Sequence, residues 1–411
     1  MAHSLYICYF GVREPLVQTQ VISYLCELIK GGHKIALLTF EPAGGKWDKQ
    51  TETAIREELK EQGIEWHWLR YHKRFSIVAT AWDILSGAVF INRFIRRKSP
   101  DVLHGRVHVS TLMAVVARRF SRGKPKILFD IRGFFPEEYT DAGIWPANGF
   151  IYRAAKRVEK WLLKEADGFV VLTERAREIL FPESREEGFD KNGRPVEVIP
   201  CCVDLARFQS VNGSTRAEMR RKLGVSNRKV FVYVGSFGGW YLTDDMINFF
   251  STAIKKNPAT FVLILTQRNK EMVEARLKDR GFGNSDFLVE SVPPSNIPEY
   301  LAAADAAISF IKACYSKQSS SPTKIAEYLA SGLPIIANKG VGDIDLLIEM
   351  NSVGALINGF SEGDFLDALK AISGGPDIQD HCRQVALQNF DLGQVGGHRY
   401  RAIYDRLIKD A

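Results

Sequence analysis

Cysteine is scarce in this chain: six in 411 residues, at Cys8, Cys26, Cys201, Cys202, Cys314 and Cys382. No C-x-x-C pair occurs, and the adjacent Cys201 and Cys202 lack metal-ligand spacing. The expectation is reduced, mostly buried thiols in a cytosolic chain. Long apolar runs are also missing. None approaches about 18 residues, so no membrane span is expected. The opening stretch MAHSLYICYFG has neither the basic start nor the small-residue cleavage site of a signal peptide, and it reads as a first strand. There is no low-complexity tract and no solenoid repeat. The Gly-rich segment GSFGGWY is neither G-x-G-x-x-G nor a P-loop, which weighs against a dehydrogenase or an NTPase. No nucleic-acid-binding fingerprint is present, so no nucleic-acid partner is expected.

What is present is an ordinary globular composition, 45% hydrophobic and 25% charged, in a chain long enough for two or three domains. The net charge of +7 suits an anionic small ligand, an acidic membrane surface or nucleic acid, without choosing among them. Short apolar runs alternate with amphipathic ones. LYICYF, KIALLTF, DVLH, KILFDIR, GFVVLT and VEVIP read as strands, with helices over about 17–29 and 152–166. The segment from Leu205 to Lys229 is polar and reads as loop. The alternation then restarts with VFVYVG, TFVLILT, FLVE, DAAISFI, LPIIAN and VGALI. Two cycles predict two doubly wound α/β domains, 1–203 and 204–391. A last helix within 392–411 is free to pack back on the first. Ligands in such sheets lie beyond the carboxyl ends of the strands, and two facing domains put the site in a cleft.

The stretch SSSPTKIAEYLASGLPIIAN, from Ser319 to Asn338, carries the densest signal. Ser321 followed by Pro322 predicts a helix start, with Ser321 as N-cap and Gly332 as the stop. A helix N-terminus attracts anions, and Lys324 in the first turn adds a full charge. That position costs about 0.3–1 kcal/mol as helix design, because cations favour the other end. Glu327 shares a face with Lys324 and could accept hydrogen bonds from vicinal hydroxyls such as those of a ribose. The bland alternative is a surface i,i+3 ion pair, which spacing alone favours.

Other candidates sit at predicted strand ends. FDIRGFFPEEY gathers Asp130, Arg132, Glu137 and Glu138. Arg132 could stabilise departing phosphate charge, and Glu138 could bind or deprotonate an acceptor hydroxyl. An internal Asp130–Arg132 pair that fixes the loop is an equal alternative. His104 and Arg106 end DVLHGR and could touch a donor, although a lone histidine there is more often structural. Gly11, Arg13 and Gln18 follow the first strand, and Gly11 would let backbone approach a ligand. The D-x-D at Asp343 to Asp345 opens a helix, where acidic residues are ordinary caps, so no metal site is expected. From Arg70 to Lys98, Trp82, Leu85, Val89, Phe90 and Phe94 recur at roughly helical spacing before a basic end. That helix could face the core or lie on an anionic bilayer.

The segments SPTKIAEYLASGLPIIAN, ELIKGGHKIALLTFE, DVLHGR, FDIRGFFPEEYTDAGIW, ADGFVVLTERAREIL, VEVIPCCVDLARF and VYVGSFGGWY resemble, in order, the retaining GT-B glycosyltransferases of the large "group 1" family. The resemblance implies an α/β GT-B fold, two Rossmann-like doubly wound domains facing across a cleft. It also implies a nucleotide-sugar donor held by the second domain and a glycan or lipid-linked saccharide acceptor held by the first. Transfer would retain configuration without a metal or other cofactor. Glu327 would hold the donor ribose. Lys324, with the helix N-terminus from Ser321 through Thr323 to Ile325, would hold the diphosphate. Gly235 and Ser236 would lie under the phosphates or the sugar, and Gly11 would approach the donor. The chain departs from the family in three places. Ser319 stands where a first glutamate is usual, Arg106 replaces the second histidine of D-x-x-H-x-H, and the Arg and Lys usual after the first donor-domain strand are missing, with Arg268 as a possible substitute. UDP-glucose is the first expectation for the donor, because such members commonly use UDP-sugars. A sugar-nucleotide epimerase of the same fold and a non-catalytic nucleotide-sugar or membrane-docking protein are the alternatives. The expected location is cytoplasmic, peripheral to the inner face of the plasma membrane if the basic helix docks there.

Overall fold

The computed structural model describes residues 1–42, 48–72, 76–209, 213–372 and 376–409. The chain forms two compact units. One comprises Met1–Pro200 with Leu392–Ala411, and the other Cys201–Asp391.

The first unit is built on seven parallel strands: β1 (His3–Cys8), β2 (Lys34–Pro42), β3 (Ile64–Tyr71), β4 (Val102–Arg106), β5 (Lys126–Ile131), β6 (Gly168–Val171) and β7 (Val196–Val198). Their order is β3-β2-β1-β4-β5-β6-β7. Strand order reverses between β1 and β4, which pair from Ser4 opposite Val102 to Cys8 opposite Arg106. The strands read as near-continuous apolar runs because helices cover both faces. Leu5, Ile7, Leu103, Ile127 and Phe129 form the core between them.

The second unit repeats the plan with β8 (Lys229–Val234), β9 (Thr260–Leu265), β10 (Phe287–Glu290), β11 (Ala306–Ser309), β12 (Ile335–Asn338) and β13 (Gly354–Ile357), ordered β10-β9-β8-β11-β12-β13. Its reversal lies between β8 and β11. Both sheets are doubly wound, and each places its switch point at the carboxyl ends of two central strands, where ligands of such sheets bind.

Three sequence expectations are corrected. β3 was not foreseen, because IEWHWLRY is half exposed and lacks a continuous apolar run. The polar segment after Leu205 is largely helical, at Ala206–Gln209 and Gly213–Lys222, with residues 210–212 outside the described set. The predicted helix over 17–29 is broken: Pro15–Val17 leads into a π-turn at Gln18–Ile22, and a regular helix runs only from Ser23–Lys30. The terminal helix, His398–Lys409, packs within the first unit, where Arg399 donates to the Val198 carbonyl at 2.6 Å. The helix Ser76–Lys98 bears on the expectation of no membrane span. From Val78 onward it is long and apolar enough, by length and composition alone, to cross a membrane, although no uninterrupted apolar run reaches that length.

Candidate functional site

Each unit carries a polar cluster at its switch point. In the second, β8 ends at Val234 and the chain turns through Gly235 at φ +140°, a conformation that side chains disfavour. A Cβ there would lie 2.8 Å from the Lys324 Nζ. Lys324 stands in the first turn of the helix Thr323–Ala330 and is only 8% exposed. Its ammonium donates to Tyr233 Oη at 3.2 Å and lies 4.3 and 4.2 Å from the ring centroids of Tyr233 and Tyr241. The Tyr233 hydroxyl in turn donates to the Ser236 carbonyl at 2.6 Å. The cage stabilises a cation through ring quadrupoles but supplies no counter-charge. Burial therefore brings the Lys324 pKa down to about 7, against a weaker upward pull from Glu327.

The surface ion pair that spacing favours does not form. Lys324 points into its tyrosine cage, and no carboxylate of the described residues reaches within 4.0 Å of it. Glu327 is half-buried. Burial raises its pKa, opposed by the charges of Arg207 and Lys324. Arg207, unforeseen from sequence, lies on the short helix Ala206–Gln209 that was read as loop.

The helix start also differs from expectation. Pro322 is the N-cap, and no side chain caps the helix. The Ser321 hydroxyl instead accepts the Cys201 N–H at 3.0 Å. Thr323 is half-buried and Ile325 fully buried, so Ile325 faces the core. An uncapped N-terminus leaves N–H groups available to an acceptor. Ser319 is buried in the 3₁₀ turn Tyr315–Ser319 and donates to the Ser316 carbonyl at 2.8 Å, so its hydroxyl is turned into the protein. Lys317, in the same turn, is buried with Nζ 4.1 Å from the Trp240 ring centroid, a second caged cation that the sequence did not signal. Arg268 is exposed after β9. Asp345 fastens the KGVG loop, with both carboxylate oxygens 3.1 Å from the Gly340 nitrogen.

In the first unit the cluster centres on Asp130, fully buried at the end of β5. Tyr400 Oη donates to its Oδ2 at 3.1 Å, and Tyr6 Oη at 3.5 Å. His104 Nε2 and Arg106 Nη1 lie 3.6 Å from Oδ2, and Arg132 Nη1 3.7 Å from Oδ1. Burial alone would raise this carboxyl, but Arg132, His104 and Arg106 outweigh it and hold the pKa at about 2. Burial lowers His104, which is neutral near pH 7, and its Nδ1 lies 2.9 Å from Tyr404 Oη. His104 is thus a core residue of this unit, bonded through Nδ1 alone, with Nε2 facing Asp130 beyond hydrogen-bond reach. Arg106 is buried, bonded at 3.3 Å to the Gln20 carbonyl, and backs the Asp130 cluster. Arg132 reaches Gln20 Oε1 at 3.3 Å, so the internal Asp130–Arg132 pair forms as part of a larger network.

Gln20 lies in the π-turn Gln18–Ile22, where insertions of this kind often mark function. Gln18 donates to the Val12 carbonyl at 2.7 Å, while Arg13 is exposed. Gly11 abuts Glu41, whose Oε2 would lie 2.9 Å from a Cβ there. Glu41 accepts the Val12 N–H at 2.8 Å and pins the loop after β1. Glu138 is half-buried over Gly133, and Glu137 is spent on Tyr152 at 3.1 Å and Lys156 at 2.9 Å. Gln20, Glu41, Tyr6, Tyr400 and Tyr404 were not foreseen. Only the interrupted helix pattern near Gln20 could have hinted at any of them.

Comparison with known proteins is consistent with these two units. Residues 17–202 match the model of the glycosyl transferase 4-like domain, and residues 215–388 that of the glycosyl transferases group 1. A D-inositol 3-phosphate glycosyltransferase of Nocardia farcinica is 24% identical over 241 residues, 56% of this chain and 49% of that protein. The chain thus spans about half the length of that curated relative. Among solved structures, a glycosyltransferase from Rickettsia africae aligns over 100% of this chain and 99% of its own, with 16% identity and a TM-score of 0.69. Anabaena HepE in complex with UDP-glucose aligns over 98% and 100%, with 13% identity and a TM-score of 0.65. At those identities the structures support the shared fold alone.

Proposed function

Since the chain belongs to the group 1 glycosyltransferases and its structural neighbours have the GT-B fold, we propose that it transfers a sugar from a nucleotide diphosphate donor to a hydroxyl of a growing polysaccharide or lipid-linked saccharide. The observation that carries this reading is the Lys324 ammonium. It is buried at the carboxyl end of β8, beside an uncapped helix N-terminus and under the side-chain-free Gly235. A buried ammonium beside a helix N-terminus suits an anion.

The Lys324 ammonium and the N–H groups of Thr323 and Lys324 take the diphosphate, with Gly235 and Ser236 under it; the Ile325 N–H is bonded to the Pro322 carbonyl at 3.0 Å. Glu327 accepts from the ribose hydroxyls. Arg268 lies exposed after the neighbouring strand and adds charge. In the first unit Gly11 lets the loop after β1 approach the donor closely. Arg132, backed by Arg106, stabilises charge on the departing diphosphate, and Glu138 binds the acceptor hydroxyl. The bond from the anomeric carbon to the diphosphate breaks as the acceptor oxygen bonds to the same face, and the leaving phosphate takes the acceptor proton. Configuration is retained without a covalent enzyme nucleophile. UDP-glucose is the proposed donor; HepE, a neighbour of the same fold, has been crystallised with it. No metal or other cofactor is proposed, because Lys324 and the helix N-terminus supply the positive charge. Six free cysteines suit a cytoplasmic setting.

The test is UDP release from a panel of UDP-sugars, with and without a glycan acceptor. Acceptor-dependent release supports transfer. A new nucleotide sugar formed without acceptor would show an epimerase, and tight binding without turnover a binding protein. Activity should persist in excess EDTA; loss restored by magnesium would refute metal independence.

A further inference from the structure

The helix Ser76–Lys98 has two apolar faces. The inner one, with Ala88, Ile91, Phe94 and Ile95, is buried in the core of the first unit. Asp83, also buried, is tied to Tyr9 Oη at 2.7 Å and His72 Nδ1 at 2.6 Å. These contacts fix the helix against the sheet and account for that face completely.

The outer face has no such explanation. Val78, Trp82, Leu85 and Val89 are 72, 61, 58 and 50% exposed. Their spacing of four, three and four residues puts them on one line along the helix. Arg93 continues that line by one further step of four, and Arg96 and Arg97 follow, all three exposed. The neighbouring helix Val107–Arg119 ends beside them: Asn92 donates to the Ala117 carbonyl at 3.1 Å. Its last residue, Arg119, and the following Phe120 and Arg122 are exposed. An apolar stripe thus runs into a basic end that two helices share. Burying such a stripe is favourable by the apolar area removed from water, and the described residues of the first unit leave it half or more exposed.

We infer that this face docks on an anionic lipid bilayer, with the helix lying in the interface rather than spanning it. The inner face is committed to the protein core, so lipid can reach only one side. Aromatic and aliphatic side chains on one line, leading to exposed arginines, match the acyl boundary and the anionic headgroups of one surface. The surface stands without the transfer reading; where both hold, the acceptor is lipid-linked and is met at the membrane.

Flotation of the full chain, without donor, on vesicles of phosphatidylglycerol and phosphatidylcholine or of phosphatidylcholine alone tests this. The protein should float with the anionic vesicles and release at high salt. Arg93→Gln/Arg96→Gln/Arg97→Gln should lower partitioning about a hundredfold, from roughly fivefold per arginine. Trp82→Gln/Leu85→Gln should lower it about tenfold or more. Both variants should melt like the parent and bind UDP like the parent, which separates this surface from folding and from the donor site. Absence of flotation of the parent chain, or equal flotation of both variants, overturns the inference. So does a dimer seen by ultracentrifugation that both variants abolish, because a second copy would then cover the face.

Discussion

Lys324 shows how one residue can be bland by spacing and decisive by environment. Its ordinary pKa is near 10.5, and burial among Tyr233 and Tyr241 brings it to about 7. Below pH 7 it is mainly charged in the ligand-free protein; above pH 7 it is mainly neutral. A bound phosphate favours the charged form, so binding above pH 7 must take up a proton. UDP affinity is therefore expected to fall by up to about tenfold per pH unit from pH 7 toward 9. Calorimetry in buffers of different ionisation heat would read the proton directly, and a flat profile with no uptake would sink the phosphate role. Lys324→Ala should weaken UDP binding by about 1.5–3 kcal/mol, the worth of a charge-assisted contact. Glu327→Gln removes the weak upward pull on Lys324 and should shift this profile slightly toward lower pH without flattening it.

At the scale of elements, the turn after β8 and the helix Thr323–Ala330 work as one device. The turn can pass over the ammonium only because residue 235 has no side chain. Gly235→Ala combines a φ of +140° with a Cβ 2.8 Å from Lys324 Nζ, so the lysine must move or the turn must open. The expected result is at least tenfold weaker UDP binding with a lower melting temperature, read by calorimetry and thermal unfolding. Unchanged UDP affinity would remove the turn from the site. Most strands were legible because a parallel strand covered on both faces is an apolar run. β3 was not, since its residues alternate between core and solvent at the sheet edge. The helix Gly213–Lys222 was not either, because only Met219 is buried on it. Tertiary bonds hold it instead: Arg216 donates to the Ala302 carbonyl at 2.7 Å and pairs with Asp305 at 2.6 Å. No local pattern announces partners more than 80 residues away.

At the scale of the molecule, the chain returns to its beginning. The last helix belongs to the unit that Met1–Pro200 builds, and it brings Tyr400 to Asp130 and Tyr404 to His104. Removing 392–411 would leave a buried carboxylate short of a donor. Amide exchange should then speed up in β1, β4 and β5 while β8 to β13 keep their protection. The milder Tyr400→Phe should cost about 1–3 kcal/mol, the penalty for an unsatisfied buried group, by urea unfolding. Uniform loss of protection in both units would contradict this division of the chain.

The sequence by itself determined the alternation of strand and helix, the two α/β cycles and the place of Lys324, Glu327 and Gly235 at strand and helix ends. Those follow from local rules: side-chain period, turn chemistry and apolar runs. Only the tertiary structure decided that Lys324 is caged rather than paired, that Ser321 bonds Cys201 instead of capping a helix, and that Asp130 gathers Tyr6, His104, Arg106 and Tyr400 from three distant stretches of chain. The physical reason is that spacing sets which face a residue occupies, while burial and partner are set by whatever distant segment packs against that face.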